Sequence, residues 1–318
     1  MLASCKEIYN KKMKIYALRL KDKKELKKSS SGGAFTAFSD YFLENRGAVV
    51  SAIYNYETNQ NEFVLYTEKK YRDMARGSKY IQAYPLDSYE KAEQWVKNNN
   101  RELLFLGTGC QAEAFRKFSI LKNFRDKVTI MGIICHGVSS PQMWKEYIGE
   151  GKIEYVTFKD KRNGWKNPYA YIVRNGKEID ISNYDTIYYN GCALRPSCYK
   201  CLFSTVERNV DITIGDFWGI EKTMPEFYSS EGNSLILLHT KKGIELFEKI
   251  KEKIEFRESN LEECMQPNLI CPTERPLQRT KFWDEYSKGG IKKIIKKYVR
   301  KPLWKKCFYK IKNKVRRI

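Results

Sequence analysis

The sequence predicts an α/β fold: a mixed sheet with flanking helices, a smaller antiparallel subdomain and a basic amphipathic C-terminal tail. Three observations carry this reading. Apolar runs of strand length at 102–106 and 127–134 end in glycine-containing loops that open onto helix-forming segments, the βα pattern of open sheets. From Glu154 the texture changes to short alternating strands with an Asn175-Gly176 hairpin signal. The stretch from Gly289 onward holds thirteen Lys or Arg residues and no acid.

Taken in order, 14–20 has strand character and 21–28 forms a charged turn or solvated helix end. Ser29-Ser30-Ser31-Gly32-Gly33 then runs straight into an amphipathic helix beginning at Ala34. Such a loop offers backbone N–H groups and the positive end of a helix dipole to an anion such as a cofactor phosphate; an ordinary serine cap on a flexible loop is the other reading. A buried strand over 47–54 pairs with 62–66. Arg76 and Lys79 flank Gly77-Ser78, where cations and a hydroxyl can surround a phosphate or an anionic flavin edge; solvated loop residues are the alternative.

A helix over 88–98 leads into the strand 102–106, which ends in Gly107-Thr108-Gly109-Cys110-Gln111. The strand 127–134 ends in Cys135-His136-Gly137, ahead of a helix over 141–148. Two successive strands therefore bring a cysteine to the same edge of the sheet, where open α/β sheets bind ligands. The later part carries a basic, aromatic-ended loop at 158–165, then Cys198-Tyr-Lys-Cys201, whose two thiols can reach one metal or cluster edge. A strand over 211–215 follows and breaks into Asp216-Phe-Trp218-Gly219; a strand over 234–239, a helix over 243–253 and a proline-interrupted loop over 261–279 complete this part. The chain thus divides into an N-terminal α/β part (1–150) with the candidate flavin-binding loops, a C-terminal part (151–288) packed on it with the CxxC and GDFWG motifs, and the tail (289–318).

The ordered set Ser31-Gly32-Gly33, Gly77-Ser78-Lys79-Tyr80, Gly107-Thr108-x-Cys110-Gln111, Cys135-His136-Gly137, Cys198-x-x-Cys201 and Asp211-Ile-x-x-Gly215-Asp216 resembles the coenzyme F420 hydrogenase/dehydrogenase β-subunit family, over roughly residues 14–280. More narrowly, it is similar to the bacterial branch associated with polysaccharide biosynthesis. The resemblance implies an α/β iron–sulfur flavoprotein oxidoreductase that passes electrons between a 4Fe-4S cluster, FAD and a substrate or partner. Carried over by position, Cys110, Cys135, Cys198 and Cys201 hold the cluster, with Cys192 the substitute should one fail. Ser31, Gly32 and Gly33 lie near the flavin phosphates, and Ser78, Lys79, Tyr80, Gly107 and Thr108 nearer its ring. Gly109 departs from the family pattern, in which proline is more usual. Only Cys5 precedes residue 110, so a ferredoxin-like module of the kind many relatives carry is expected as a separate electron carrier or partner subunit.

The totals limit the alternatives. An odd count of nine cysteines and no signal-peptide pattern at Met1 point to a reducing, cytoplasmic setting. No apolar run approaches the roughly 20 residues that span a bilayer. Of the net charge of +21, thirteen positive residues sit in the tail, leaving +8 for residues 1–288; with no nucleic-acid motif in the body, the charge does not argue for a nucleic-acid binder. In the tail, Ile291, Ile294, Ile295, Tyr298 and Val299, then Leu303, Trp304, Phe308, Tyr309 and Ile311, form apolar sets among lysines, a pattern suited to an anionic membrane surface. A non-redox accessory protein with the same four cysteines around a structural zinc is the rival reading. The substrate is expected to be a small molecule or a glycan precursor.

Overall fold

A computed structural model of the chain describes residues 13–299. Twelve strands form two sheets among the described residues. The larger runs β12-β1-β11-β10-β6-β5-β2-β3-β4, where β1 is Lys14–Leu20, β2 Ala48–Asn55, β3 Gln60–Tyr66, β4 Ala83–Tyr84, β5 Leu103–Thr108, β6 Val128–Ile133, β10 Ile212–Asp216, β11 Ser234–Leu238 and β12 Ile254–Ser259. The smaller is β7 (Tyr155–Asp160), β8 (Tyr169–Arg174) and β9 (Lys177–Asp180), all antiparallel. The α/β class with a mixed sheet and a small antiparallel sheet is the one the sequence predicts. Strands from both sides of residue 150 share the large sheet.

Its centre is parallel: β2 pairs with β5, β5 with β6 and β6 with β10. These strands are mostly apolar because both faces are covered. Successive residues alternate between the two cores. Leu104, Leu106, Met131, Ile212 and Ile214 pack under helices Ala34–Glu44 and Lys241–Ile250. Leu103, Phe105, Val128 and Ile130 face helices Ser88–Asn99 and Gly109–Leu121. The small sheet closes a third core, in which Trp144 of helix Pro141–Ile148 meets Phe158, Ile172 and Tyr184. Its hairpin turns through Asn175 and Gly176, both at positive φ, as an Asn-Gly pair requires.

Several elements differ from the sequence expectation. Residues 23–28 form a short helix capped by Asp22, and 69–75 and 182–189 are helices as well. β12 escapes a hydrophobic-period search because it is an edge strand with charged residues at Glu255, Arg257 and Glu258. The proline-rich 261–279 segment holds two single-turn helices, and helix Arg279–Ile294 begins before the tail.

The tail's first apolar set is turned toward the protein. The helix breaks at Gly289 and Gly290, and beyond the break Ile291 and Ile294 are buried with Met143, Ile187, Cys192 and Phe282. Glu146 accepts a hydrogen bond from the Ile291 N–H at 2.8 Å, and Glu285 pairs with Lys293 and Lys297. Any lipid contact therefore rests on the set from Leu303 to Ile311, which lies outside the described residues. Ile294→Ala should lower unfolding stability by about 3 kcal/mol, as expected for truncating a fully buried isoleucine; chemical denaturation measures it, and an unchanged midpoint would show that this segment does not pack on the body.

Candidate functional site

The parallel ladder sets the site. Thr108 lies opposite Ile133 across β5 and β6, and Ile133 opposite Ile214 across β6 and β10, so three strand ends stand level. Beyond them come Thr108 to Gln111, Ile134 to Gly137 and Asp216 to Gly219, each where an open sheet presents its ligand groups. Asp211 fixes the start of β10: its carboxylate accepts the Ile130 N–H at 2.8 Å, an Arg125 guanidinium N–H at 2.9 Å and the Thr240 hydroxyl at 2.8 Å. The leading aspartate of the Asp211-to-Asp216 motif is thus a buried structural pin.

Cys110 starts the helix after β5. The Gln111 side chain folds back to accept the Thr108 N–H at 3.0 Å, and the Thr108 hydroxyl stands 3.3 Å from the Cys110 sulfur. Cys198 lies on the short helical turn Pro196–Lys200, with Cys201 immediately after it. This segment reaches the strand ends through two glycines. A Cβ on Gly137 would come within 3.3 Å of the Cys198 Cβ, and one on Gly109 within 2.6 Å of the Phe203 Cβ. The second contact accounts for the departure at Gly109: a proline there would collide with Phe203. A backbone bridge ties the neighbourhood together, since Ser139 pairs with Ile81 on one side and Leu194 on the other.

Cys110, Cys198 and Cys201 all lie within electrostatic reach of Cys135, whose thiol is pushed up to about 12 by burial above all, with those neighbouring sulfurs adding to the rise. Burial likewise raises Cys198. Among the described residues, no three histidine, cysteine or acidic side chains stand at metal-binding distance, so the four thiols do not form a preset coordination shell. Arg208 supplies the balancing charge. Its guanidinium donates to the carbonyls of Thr205, Ile133 and Asn268, faces Cys135 and Cys201, and meets no carboxylate among the described residues. Burial lowers its pKa, the sign of a cation short of a counter-ion. His136 is half-buried: Thr273 holds its Nδ1 side at 3.2 Å, while Nε2 is buried and has no hydrogen-bond partner among the described residues. An all-sulfur donor set near a half-buried arginine suits an anionic thiolate-bound metal group. Cys192 sits elsewhere, buried beside Trp283 in the tail-binding core.

The residues expected to hold a flavin lie along the same edge, and several of them are already engaged within the protein. Ser31 donates to the Asn233 carbonyl at 2.7 Å, and Gly32 accepts the Leu20 N–H at 2.8 Å. Gly32 has no room for a side chain, because a Cβ would stand 2.2 Å from the Leu18 oxygen. Gly33, with φ of 87°, turns the chain into helix Ala34–Glu44. Lys79 donates to the carbonyls of Ala75, Arg76 and Gly77, and burial pushes its ammonium down to about 7. Tyr80 stacks on Tyr188 at 4.3 Å and accepts a hydrogen bond from Tyr189. Arg76, the second cation expected near a phosphate, is instead committed to Glu25 and Asp73. Gly107 is packed against Phe105 and Gln111, and Ser78 is half-buried in its loop.

The GDFWG segment is not among the expected ligands, and it joins the two sheets. Asp216 accepts from Lys159 of β7 at 2.5 Å and from the Trp165 indole N–H at 2.8 Å. Trp165 stacks on Trp218 with parallel rings 5.1 Å apart. Lys161 reaches the Leu26, Ser31 and Glu231 carbonyls, tying the small sheet to the serine–glycine loop; burial pushes it down to about 8. The signal for this group in the sequence is the basic, aromatic-ended run from Lys159 to Trp165, whose indole N–H needs a partner once buried. Two hollows of about 400 Å³ each, one lined by Met13 to Ile15 and Glu258 to Glu262 and the other by Arg19, Phe227 and Ile254 to Arg257, open beside β12 and are lined by none of the four cysteines.

A family model for the C-terminal part of the coenzyme F420 hydrogenase/dehydrogenase beta subunit matches residues 100–263, just over half of the chain. Among solved structures, a chain of the F420-reducing nickel–iron hydrogenase complex from Methanosarcina barkeri superposes with a TM-score of 0.55 at 19% identity, over 91% of this chain and 96% of that one. At that identity the likeness shows a shared fold.

The Asp216 pair gives a direct test of how the sheets are joined. Asp216→Ala leaves the nearly buried Lys159 ammonium uncompensated and should cost about 3 kcal/mol of stability, most of it recovered in the apolar double variant Lys159→Met/Asp216→Leu. Equal stability of wild type and Asp216→Ala in urea would show that the pair does not hold the sheets together.

Proposed function

Because the chain belongs to the coenzyme F420 hydrogenase/dehydrogenase β-subunit family, whose members relate to hydrogenase and dehydrogenase oxidoreductases, we propose that it is an iron–sulfur flavoprotein that passes electrons between a 4Fe-4S cluster, FAD and a substrate or partner. The observation that supports this reading is that Cys110 and Cys135 follow level strand ends while the turn carrying Cys198 and Cys201 packs against Gly137, with Arg208 near Cys135 and Cys201. Four thiolates are the ligand set of such a cluster, and a half-buried guanidinium offsets the negative charge they acquire on losing their protons. A bound cluster supplies one-electron steps and a bound flavin couples them to two-electron chemistry.

The protein's own part is to position and insulate. The four cysteines would hold the cluster. Ser31, Gly32 and Gly33 would border the flavin phosphates through backbone, with Ser78, Lys79, Tyr80, Gly107 and Thr108 nearer its ring. Lys79, held by three carbonyls and with its pKa pushed down to about 7, would supply positive charge near that ring below neutral pH, and Tyr80 stacks on Tyr188 beside it. Electrons would come from a separate ferredoxin-like carrier or partner subunit. The substrate would be a small molecule or glycan precursor, in keeping with a place in surface polysaccharide assembly.

Anaerobically purified protein should absorb broadly in the visible, bleach on reduction, and contain iron, acid-labile sulfide and flavin. Cys198→Ser or Cys201→Ser should lose most of the iron, while Cys192→Ser keeps it. A colourless protein with one zinc per chain would replace this reading with the structural-zinc alternative, which the same all-sulfur donor set also suits. No helix of the described residues is long and apolar enough to cross a membrane. Attachment to an anionic inner membrane face would come from residues 300–318. A chain ending at Val299 should no longer sediment with anionic liposomes, and undiminished sedimentation would remove the tail from that role.

A further inference from the structure

The large sheet ends on β12, and among the described residues no segment pairs with its outer side. The other sheet edges are blunted: β4 is two residues long, β7 is interrupted by a register shift between Thr157 and Asp160, and β9 is four residues, all exposed. β12 instead runs six residues in unbroken register with β1. Lys21 donates its N–H to the Lys253 carbonyl at 3.0 Å, and further along Arg19 and Ala17 stand opposite Glu255 and Arg257. Antiparallel rungs alternate, so the odd-numbered residues of β12 bond to β1, while Ile254, Phe256 and Glu258 turn their backbone groups outward. The Phe256 carbonyl on that outward side is met at 3.3 Å by the guanidinium of Arg257. Arg257 is exposed, stands opposite the small Ala17, and forms no ion pair with a carboxylate among the described residues. Glu255 pairs with Arg19 at 2.6 Å and keeps 40% of its side chain exposed.

An edge strand with free backbone groups is a template for another strand. We propose that β12 pairs antiparallel with β12 of a second copy of this chain, about a two-fold axis at Phe256, so that the two nine-stranded sheets join into one. The occupant follows from the order of charges. In a pair centred on Phe256, Glu255 faces Arg257 of the second copy, and Arg257 faces its Glu255. Both fall at non-hydrogen-bonded positions, where opposed side chains approach most closely. Arg257 then gains the carboxylate that its own subunit does not supply, and Glu255 bridges Arg19 and the incoming guanidinium. On the other face Phe256, already packed on Phe247 at 5.3 Å and Tyr16 at 5.8 Å, meets its own copy. Moving the axis by one residue sets Arg257 against Arg257 or Glu255 against Glu255, so charge selects one symmetric register. The hollow of about 400 Å³ beside Arg19, Phe227 and Ile254 to Arg257 leaves room for the side chains of the second copy. A lone arginine would only guard the edge; the glutamate two residues before it makes the edge complementary to itself.

The test is sedimentation velocity of the full-length protein as purified, over a concentration series, with folding checked by circular dichroism. The wild type should be dimeric. Arg257→Glu sets a glutamate opposite Glu255, and Glu255→Lys sets a lysine opposite Arg257; each should raise the dimer dissociation constant by about tenfold or more. Mixed in equal amounts, the two variants should form a heterodimer about tenfold tighter or more than either variant's own dimer, because each supplies the charge that the other lacks. That recovery separates lost pairing from misfolding. A monomeric wild type at about 100 μM would overturn the proposal, as would a dimer that Arg257→Glu leaves unchanged. So would variants that stay monomeric when mixed, and so would a different polypeptide that co-purifies with the wild type and is released by Arg257→Glu.

Discussion

The parallel pairing of β5, β6 and β10 is the constraint on which the rest of the structure depends. Parallel neighbours end at the same edge, so whatever follows each strand is delivered to one place. Here those continuations carry Cys110, Cys135 with His136, and Asp216 with Trp218. Asp211 keeps β10 in register by bonding across to Ile130 and outward to Thr240. The cysteine pair of the 198–201 segment comes from far along the chain and is admitted only because Gly137 and Gly109 leave room for Cys198 and Phe203.

Charge decides what this edge can hold. Burial raises the pKa of the Cys135 and Cys198 thiols, and metal binding would release their protons. Arg208 places a cation near Cys135 and Cys201, where it can offset the charge of bound thiolates. On the other side of the edge, Asp216 and Lys159 neutralise each other, while Lys161 binds carbonyls alone. The edge is therefore electropositive near the sulfurs and close to neutral near the tryptophans. The first environment suits an anionic group.

Much of this was legible in the sequence. Buried parallel strands are continuous apolar runs, and those at 103–108 and 128–133 stand out, as does the Asn175-Gly176 turn. β12 and the helices at 69–75 and 182–189 did not, because their half-exposed faces mix charged and apolar residues and leave no clean period. The glycines of the serine–glycine loop and of the Gly107–Gly109 turn are explained by packing: their lost side chains would strike Leu18, Phe105 or Phe203. A glycine that makes room for a ligand and one that makes room for a neighbouring chain look alike in sequence. The tail shows the same ambiguity, since Ile291 and Ile294 satisfy a lipid-facing pattern and a core-facing one equally.

X-ray absorption of the anaerobically purified protein at the iron and zinc edges tests the central claim most directly. The account predicts iron with an all-sulfur first shell and short iron–iron scattering, a signature abolished in Cys135→Ser. Zinc with four sulfur neighbours and no metal–metal scattering, or iron whose shell is unchanged in Cys135→Ser, would contradict it.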